Sequence, residues 1–175
     1  MVLNTIMPLL LVAAGGVIGI LSNYLTQVFQ SKRERKSISS AFAGEIKAIL
    51  YIVEKRNYIN LFKADIEEIK EGKAVGSSIS ISSSYFSVYI GNVGKLGLLN
   101  APLPEELATF YTLAMSVLED IKVISDPKCT WNNKEEQLWY YEELLALFIE
   151  ADELGRRILK RLGNESIAVK DKSQS

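Results

Sequence analysis

Histidine is absent from this chain, cysteine occurs once, and proline only four times. Without histidine there is no Ser-His-Asp or Cys-His relay and no ordinary zinc site. The single Cys129 excludes an internal disulfide and fits a reducing compartment. It is also not placed for lipidation near the N-terminus. A serine nucleophile in the polar run 76–84 would have no imidazole base to activate it. Residues 91–95 (Gly-Asn-Val-Gly-Lys) lack the spacing and the following Ser or Thr of a phosphate-binding loop. Glu142, Glu143, Glu150, Asp152 and Glu153 are carboxylates without a Glu-x-x-His partner, so they read as a solvated helix face rather than a metal site. No cofactor and no enzymatic activity are expected.

Charge is the next absence. Residues 1–31 carry no Asp, Glu, Lys or Arg, and residues 6–21 are almost purely apolar. About 20 such residues cross the hydrocarbon of a bilayer. A cleaved signal peptide is the rival, with Val12, Ala13 and Ala14 loosely resembling a cleavage site. It would need a basic n-region, which is missing. A buried core helix, the other alternative, would have to be apolar all round in a small domain. The expectation is an uncleaved transmembrane anchor over residues 1–30.

Lys32, Arg33, Arg35 and Lys36, with Glu34 among them, form a basic collar over residues 31–36. Bases beside a span stay on the cytoplasmic side, which places the N-terminus outside and the remainder in the cytoplasm. Further on, charge is unevenly divided. Residues 31–73 hold ten bases against seven acids and residues 100–155 three against twelve, before Arg156, Arg157, Lys160 and Arg161 add a basic turn. The domain therefore lacks the basic stripe of a nucleic-acid binder, and no nucleic acid is expected as partner. The acidic half should be held away from an anionic leaflet while the collar lies near it.

Apolar residues recur at helical spacing after the collar. Ile38, Ala41, Phe42, Ile46, Ile49 and Val53 form one face, weakly interrupted at Asn57. Ile59, Phe62, Ile66 and Ile69 form a second, stopping at Gly72. Residues 76–84 predict an extended loop. Pro104, Glu105 and Glu106 suit the first turn of a third helix. Its stripe is Leu107, Phe110, Tyr111, Ala114, Val117, Leu118 and Ile121, with a stop at residues 125–127. A fourth helix starts near Asn132 or Asn133, and Leu138, Tyr141, Leu145, Phe148, Ile149, Leu154, Ile158 and Leu162 carry its stripe to Gly163. The fold expected is all-α: a transmembrane helix, then a small antiparallel four-helix bundle over residues 37–163 and a disordered tail over 164–175.

Two constellations stand out. Gly15 and Gly19 are four apart in the span, and Ser22, Asn23 and Thr26 extend the same side, a pattern that lets two membrane helices approach and bond. Self-association through Gly15, Gly19, Ser22 and Asn23 is expected, although glycine is common in membrane helices. The other is residues 85–99, rich in glycine and large apolar groups. Tyr85, Phe86, Val88 and Tyr89 suit one buried helical turn, Gly91, Gly94 and Gly97 permit tight turns or close packing, and Leu96, Leu98 and Leu99 suit packing under the third helix. The segment is expected to clasp the helices together, with Asn92 and Lys95 as candidate contacts to a ligand or protein partner.

The span, the collar, residues 45–49 and 54–58, the Tyr85-to-Leu99 segment, and residues 103–111 resemble a family of uncharacterised bacterial single-pass membrane proteins over about residues 1–125. The resemblance implies a bacterial inner-membrane setting and supplies no activity or site residues. The function expected is a membrane-anchored, non-enzymatic interaction or regulatory module that self-associates, with the lipid bilayer and a second copy as partners. The alternative is an oligomeric pore-forming or membrane-disrupting effector in phage defence. Its polar span face favours it, and the absence of any charge marking an ion path opposes it.

Overall fold

The computed structural model describes residues 2–73, 75, 83–126 and 128–171, with side chains described for residues 16, 18–73, 75, 84–126 and 128–163. The serine run 76–82 lies outside the described residues. Among the described residues the chain is all-α. Five helices, α1 (Val2–Lys55), α2 (Tyr58–Lys70), α3 (Ser87–Asn92), α4 (Leu103–Ile124) and α5 (Lys134–Asp171), are joined by 3-10 turns at Ser83–Phe86 and Val93–Leu98. Two compact units divide it, Met1–Ser37 and Ile38–Ser175.

In the first unit, Ile18, Ile20, Leu21, Tyr24, Leu25 and Phe29 are each more than half exposed. Most of the apolar block 6–21 lies outside the residues whose side chains are described. Among the described residues, no helix is long and apolar enough to cross a membrane.

The second unit is built by helical stripes. Ile38, Phe42, Ile46 and Leu50 of α1 are buried at four-residue steps. They join Leu107, Phe110 and Tyr111 of α4 and Leu154, Ile158 and Leu162 of α5 in one cluster. A second cluster joins Tyr58, Phe62, Ile66 and Ile69 of α2 to Val117 and Ile121 of α4 and Tyr141, Leu144 and Phe148 of α5. Fully burying each such side chain contributes about 1.5–3 kcal/mol before chain entropy is set against it.

Helix ends follow local chemistry. Asn133 Oδ1 accepts from the Glu136 amide at 2.7 Å and Glu136 Oε2 accepts from the Asn132 amide at 2.8 Å, a reciprocal cap that starts α5. After α2, Gly72 lies at φ +76, with Gly72 N–H donating to Ile69 O and Lys73 N–H to Glu68 O, both 2.9 Å. This is the left-handed C-terminal motif in which glycine avoids a Cβ clash. The apolar stripe of α5 ends at Leu162, yet its helical backbone continues to Asp171.

Pairwise contacts give the helix directions. Glu106 meets Arg161, Phe110 meets Gly155, and Tyr140 bonds Asp120, so α4 and α5 are antiparallel. Along α2, Tyr58 meets Phe148, Phe62 meets Tyr141, and Lys134 Nζ donates to Lys70 O. Within α1, Ile38 to Leu50 share the cluster of Leu154, Ile158 and Leu162, and Ile52 and Val53 pack against that of Tyr141, Leu144 and Phe148. Residue numbers thus rise along α1 and then α2 as they fall along α5. The two helices run in the same sense, end to end, where sequence reading expects the up-and-down alternation of an antiparallel bundle. Asn57, at φ 53 and ψ 37, explains the difference: a single left-handed residue re-aims the axis without turning the chain back.

Among the glycines whose surroundings are described, only Gly155 is closely packed. A Cβ there would stand 2.8 Å from Phe110 Cε2 and 3.3 Å from both Leu50 δ-carbons, so its lack of side chain lets α5 approach α1 and α4.

Because Asn57 tolerates the left-handed region and β-branched residues do not, Asn57→Gly should hold stability within about 0.5 kcal/mol. Asn57→Val should cost about 1–2 kcal/mol. Chemical denaturation of the full chain checks this, and equal midpoints for the two variants would remove the constraint from Asn57.

Candidate functional site

Residues 85–99 fold onto α1 and α4 through one carboxylate. Glu45 lies on the inner side of α1 and is only 8% exposed, one of two buried charged residues among those described, with Asp65. Its Oε1 accepts from Val88 N–H at 2.6 Å, and its Oε2 from Tyr89 N–H at 3.0 Å and the Tyr111 hydroxyl at 2.7 Å. Val88 and Tyr89 belong to the first turn of α3, whose amides have no intrahelical acceptor. Phe86 occupies the cap position and offers no side-chain bond, so a carboxylate from another helix does the capping. All three partners are donors, which suits an acceptor-only group.

Around that carboxylate the rings are packed on Tyr111, which is fully buried. Tyr89 stacks on it at 4.0 Å with planes 14° apart. Phe110 and Phe86 meet it edge-on at 5.1 and 6.1 Å, and Phe42 tilts against it at 6.3 Å. Such pairs add about 0.5–1.5 kcal/mol each beyond burial. Burial, then the bond to Glu45 and its charge, push the Tyr111 hydroxyl pKa well above its usual value. The Tyr140 hydroxyl is raised as well, by burial and its 2.8 Å bond to Asp120, and that of Tyr141 to about 12 by burial and Asp65.

The clasp expectation fits this geometry. Phe86 and Leu99 are buried, and Val88, Tyr89 and Leu96 pack against the same cluster. The role given to the glycines does not fit. None of Gly91, Gly94 and Gly97 has a positive φ, and a Cβ on any of them would meet nothing within 4 Å. The chain bends there by right-handed 3-10 geometry, which any residue adopts. Asn92 is half-buried and its Nδ2 donates to Val88 O at 2.9 Å, closing on its own helix, while Lys95 is exposed. The structure brings these two candidates onto one short segment.

Of the self-association residues, Gly15 lies outside the residues whose side chains are described. Gly19, Ser22 and Asn23 are exposed, and the Thr26 hydroxyl donates to Ser22 O at 2.8 Å along the helix.

Where the two clusters meet, Leu50, Val53, Phe86, Phe110, Val117 and Phe148 help line an apolar cavity of about 60 Å³. Small-molecule pockets are about 300–1,000 Å³, so this is a packing gap rather than a substrate site. Its one carboxylate, Asp152, is held by Arg156 Nε at 2.8 Å. Among the described residues no group of three or more His, Cys, Asp or Glu could hold a metal ion. Sequence reading missed Glu45, and the only signal was an acidic residue flanked by the apolar positions Phe42, Ile46 and Ile49 on one helix side.

No protein-family model, curated protein or solved structure matches the chain.

Glu45→Ala would orphan one buried and two part-buried donors, and with about 1–3 kcal/mol for a buried donor and less for the others a loss of about 3 kcal/mol is expected. Tyr111→Phe should cost about 1.5–3 kcal/mol, and the double variant should fall short of the sum by at least about 0.5 kcal/mol. Strict additivity in chemical denaturation would show that the two side chains are uncoupled. The alkaline limb gives a second test. A tyrosine whose folded pKa lies above its unfolded value of about 10 contributes stability that is complete below pH 10 and is lost as pH rises through the folded value. The thermal midpoint should therefore fall above about pH 10, and less steeply in Tyr111→Phe. An identical slope in that variant would remove Tyr111 as a cause.

Proposed function

We propose that this chain is a membrane-anchored, non-enzymatic interaction module that self-associates. Residues 1–30 are read as a single-pass transmembrane helix in a bacterial inner membrane, with the segment before Lys32 outside and the helical unit in the cytoplasm. The supporting observation is the uncovered apolar surface of α1. Ile18, Ile20, Leu21, Tyr24, Leu25 and Phe29 lie on one half of the helix circumference, opposite Asn23 and Thr26, and each is more than half exposed among the described residues. Apolar surface of that kind marks a membrane or protein contact. The uncharged stretch before Lys32 and the four bases after it favour the bilayer and set the orientation.

Self-association is proposed through Gly15, Gly19, Ser22 and Asn23. Thr26 satisfies its hydroxyl on its own helix, whereas the Asn23 amide is exposed and would seek a partner helix within hydrocarbon. That same polar side, with Gln27 also exposed, favours the second reading, an oligomeric pore or membrane-disrupting effector. Overexpression separates them: collapse of the membrane potential supports the pore, and an unchanged potential supports the interaction module.

A phosphatase fused after Ser175, active only outside the cytoplasm, should be inactive while the fusion protein is present. An active fusion would overturn the orientation. Gly15→Leu with Gly19→Leu should shift the detergent-solubilised chain toward monomer with its helical content kept. An unchanged oligomer would assign assembly to the Ile38–Ser175 unit.

A further inference from the structure

Charge is sorted along the unit Ile38–Ser175. Glu135, Glu136, Glu142 and Glu143 on the first half of α5 lie at the end where α2 finishes with Glu67, Glu68 and Glu71. At the opposite end, Arg156, Arg157, Lys160, Arg161 and Glu153 line an open shallow cleft on α5. Arg157 and Arg161 face Glu106 at 3.7 and 3.1 Å, and that carboxylate is recessed at 15% exposed while the two arginines stand 59% and 46% exposed. Two guanidiniums on one recessed acid leave an outward positive charge. Arg156 is paired with Asp152 and Glu54, and Lys160 makes no ion pair among the described residues.

We infer that this basic face of α5 docks onto anionic lipid headgroups; the inference rests on the membrane reading above and adds the surface and the lipid class. Chain connectivity and charge carry it. Ile158 and Leu162, on the same turns of α5, share a cluster with Ile38. Lys32, Arg33, Arg35 and Lys36 precede Ile38 by two to six residues in the sequence. An anchored chain therefore enters this unit at its basic end, and the acidic end is the one farthest along α1 and α2. A nucleic acid is disfavoured, since acids from Glu135 to Glu153 precede the cations along α5 and no basic stripe extends the site among the described residues. Near an anionic leaflet each base contributes about fivefold to the docking equilibrium, and salt screens it.

The test uses the full chain in nanodiscs of phosphatidylcholine with or without phosphatidylglycerol. A fluorophore is placed at Gly163→Cys, an exposed position with no neighbour within 4 Å, in a Cys129→Ser background. Quenching by a headgroup-tethered quencher should be strong with phosphatidylglycerol, weak without it, and lost in 0.5 M salt. Arg156→Gln with Lys160→Gln leaves the Glu106 pairs intact and should weaken docking about 25-fold, two fivefold steps. Arg157→Gln with Arg161→Gln should do the same, with its thermal midpoint measured as a check on folding. Quenching equal in the two lipids, or unmoved by both double variants, would overturn the docking. Carbonate extraction separates this from the anchor: a retained chain without quenching sinks the docking alone, and a released chain that is still quenched on anionic lipid supports docking and sinks the span alone.

Discussion

A carboxylate kept from water must find donors inside the protein, and in this chain Glu45 finds three, from two distant parts of the sequence. That requirement fixes much else. It sets the rotation of α1, because Glu45 must face inward beside Phe42 and Ile46, and it holds the start of α3 where two amides can reach α1. It also positions Tyr111, whose ring then supports the Tyr89 stack and the edges of Phe86 and Phe110. Hydrophobic burial supplies most of the stabilisation but is indifferent to small rotations and slips. The three bonds are directional, so they select one register among many apolar packings.

The second organising feature is that α5 spans both clusters. It packs against α1 and α4 in one and against α2 and α4 in the other. The part of α1 over residues 38–55 and α2, running in the same sense, can share one long antiparallel partner only if the chain changes axis without reversing, and the left-handed Asn57 does this within a two-residue break. Glu135, Glu136, Glu142 and Glu143 lie on the half of α5 that joins the second cluster and its arginines on the half that joins the first, so this charge polarity follows the length of one helix.

The elements themselves were legible in the sequence. The stripes of α2, α4 and α5, the stop at Gly72 and a start near Asn132 or Asn133 all follow from periodicity and capping chemistry, because these are local effects. Glu45 was not, since an acidic residue in a helical run normally faces solvent, and its donors lie 43 to 66 residues away. The direction of α2 was hidden for a similar reason: Asn57 has the same composition signal whether the chain bends or folds back. Gly91, Gly94 and Gly97 looked constrained and have open space, whereas Gly155, which the sequence reading passes over, sits against Phe110 and Leu50. Contact across helices decides what a glycine does, and that contact is not written locally.

Native-state hydrogen exchange at the Val88 and Tyr89 amides tests the central role of Glu45 most directly. In the unaltered chain both amides should exchange only with global unfolding of the Ile38–Ser175 unit, as slowly as the core amides of α4. In Glu45→Ala both should exchange by local opening, faster than those α4 amides. Rapid exchange at both positions in the unaltered chain, or protection that is the same with and without Glu45, would contradict the account.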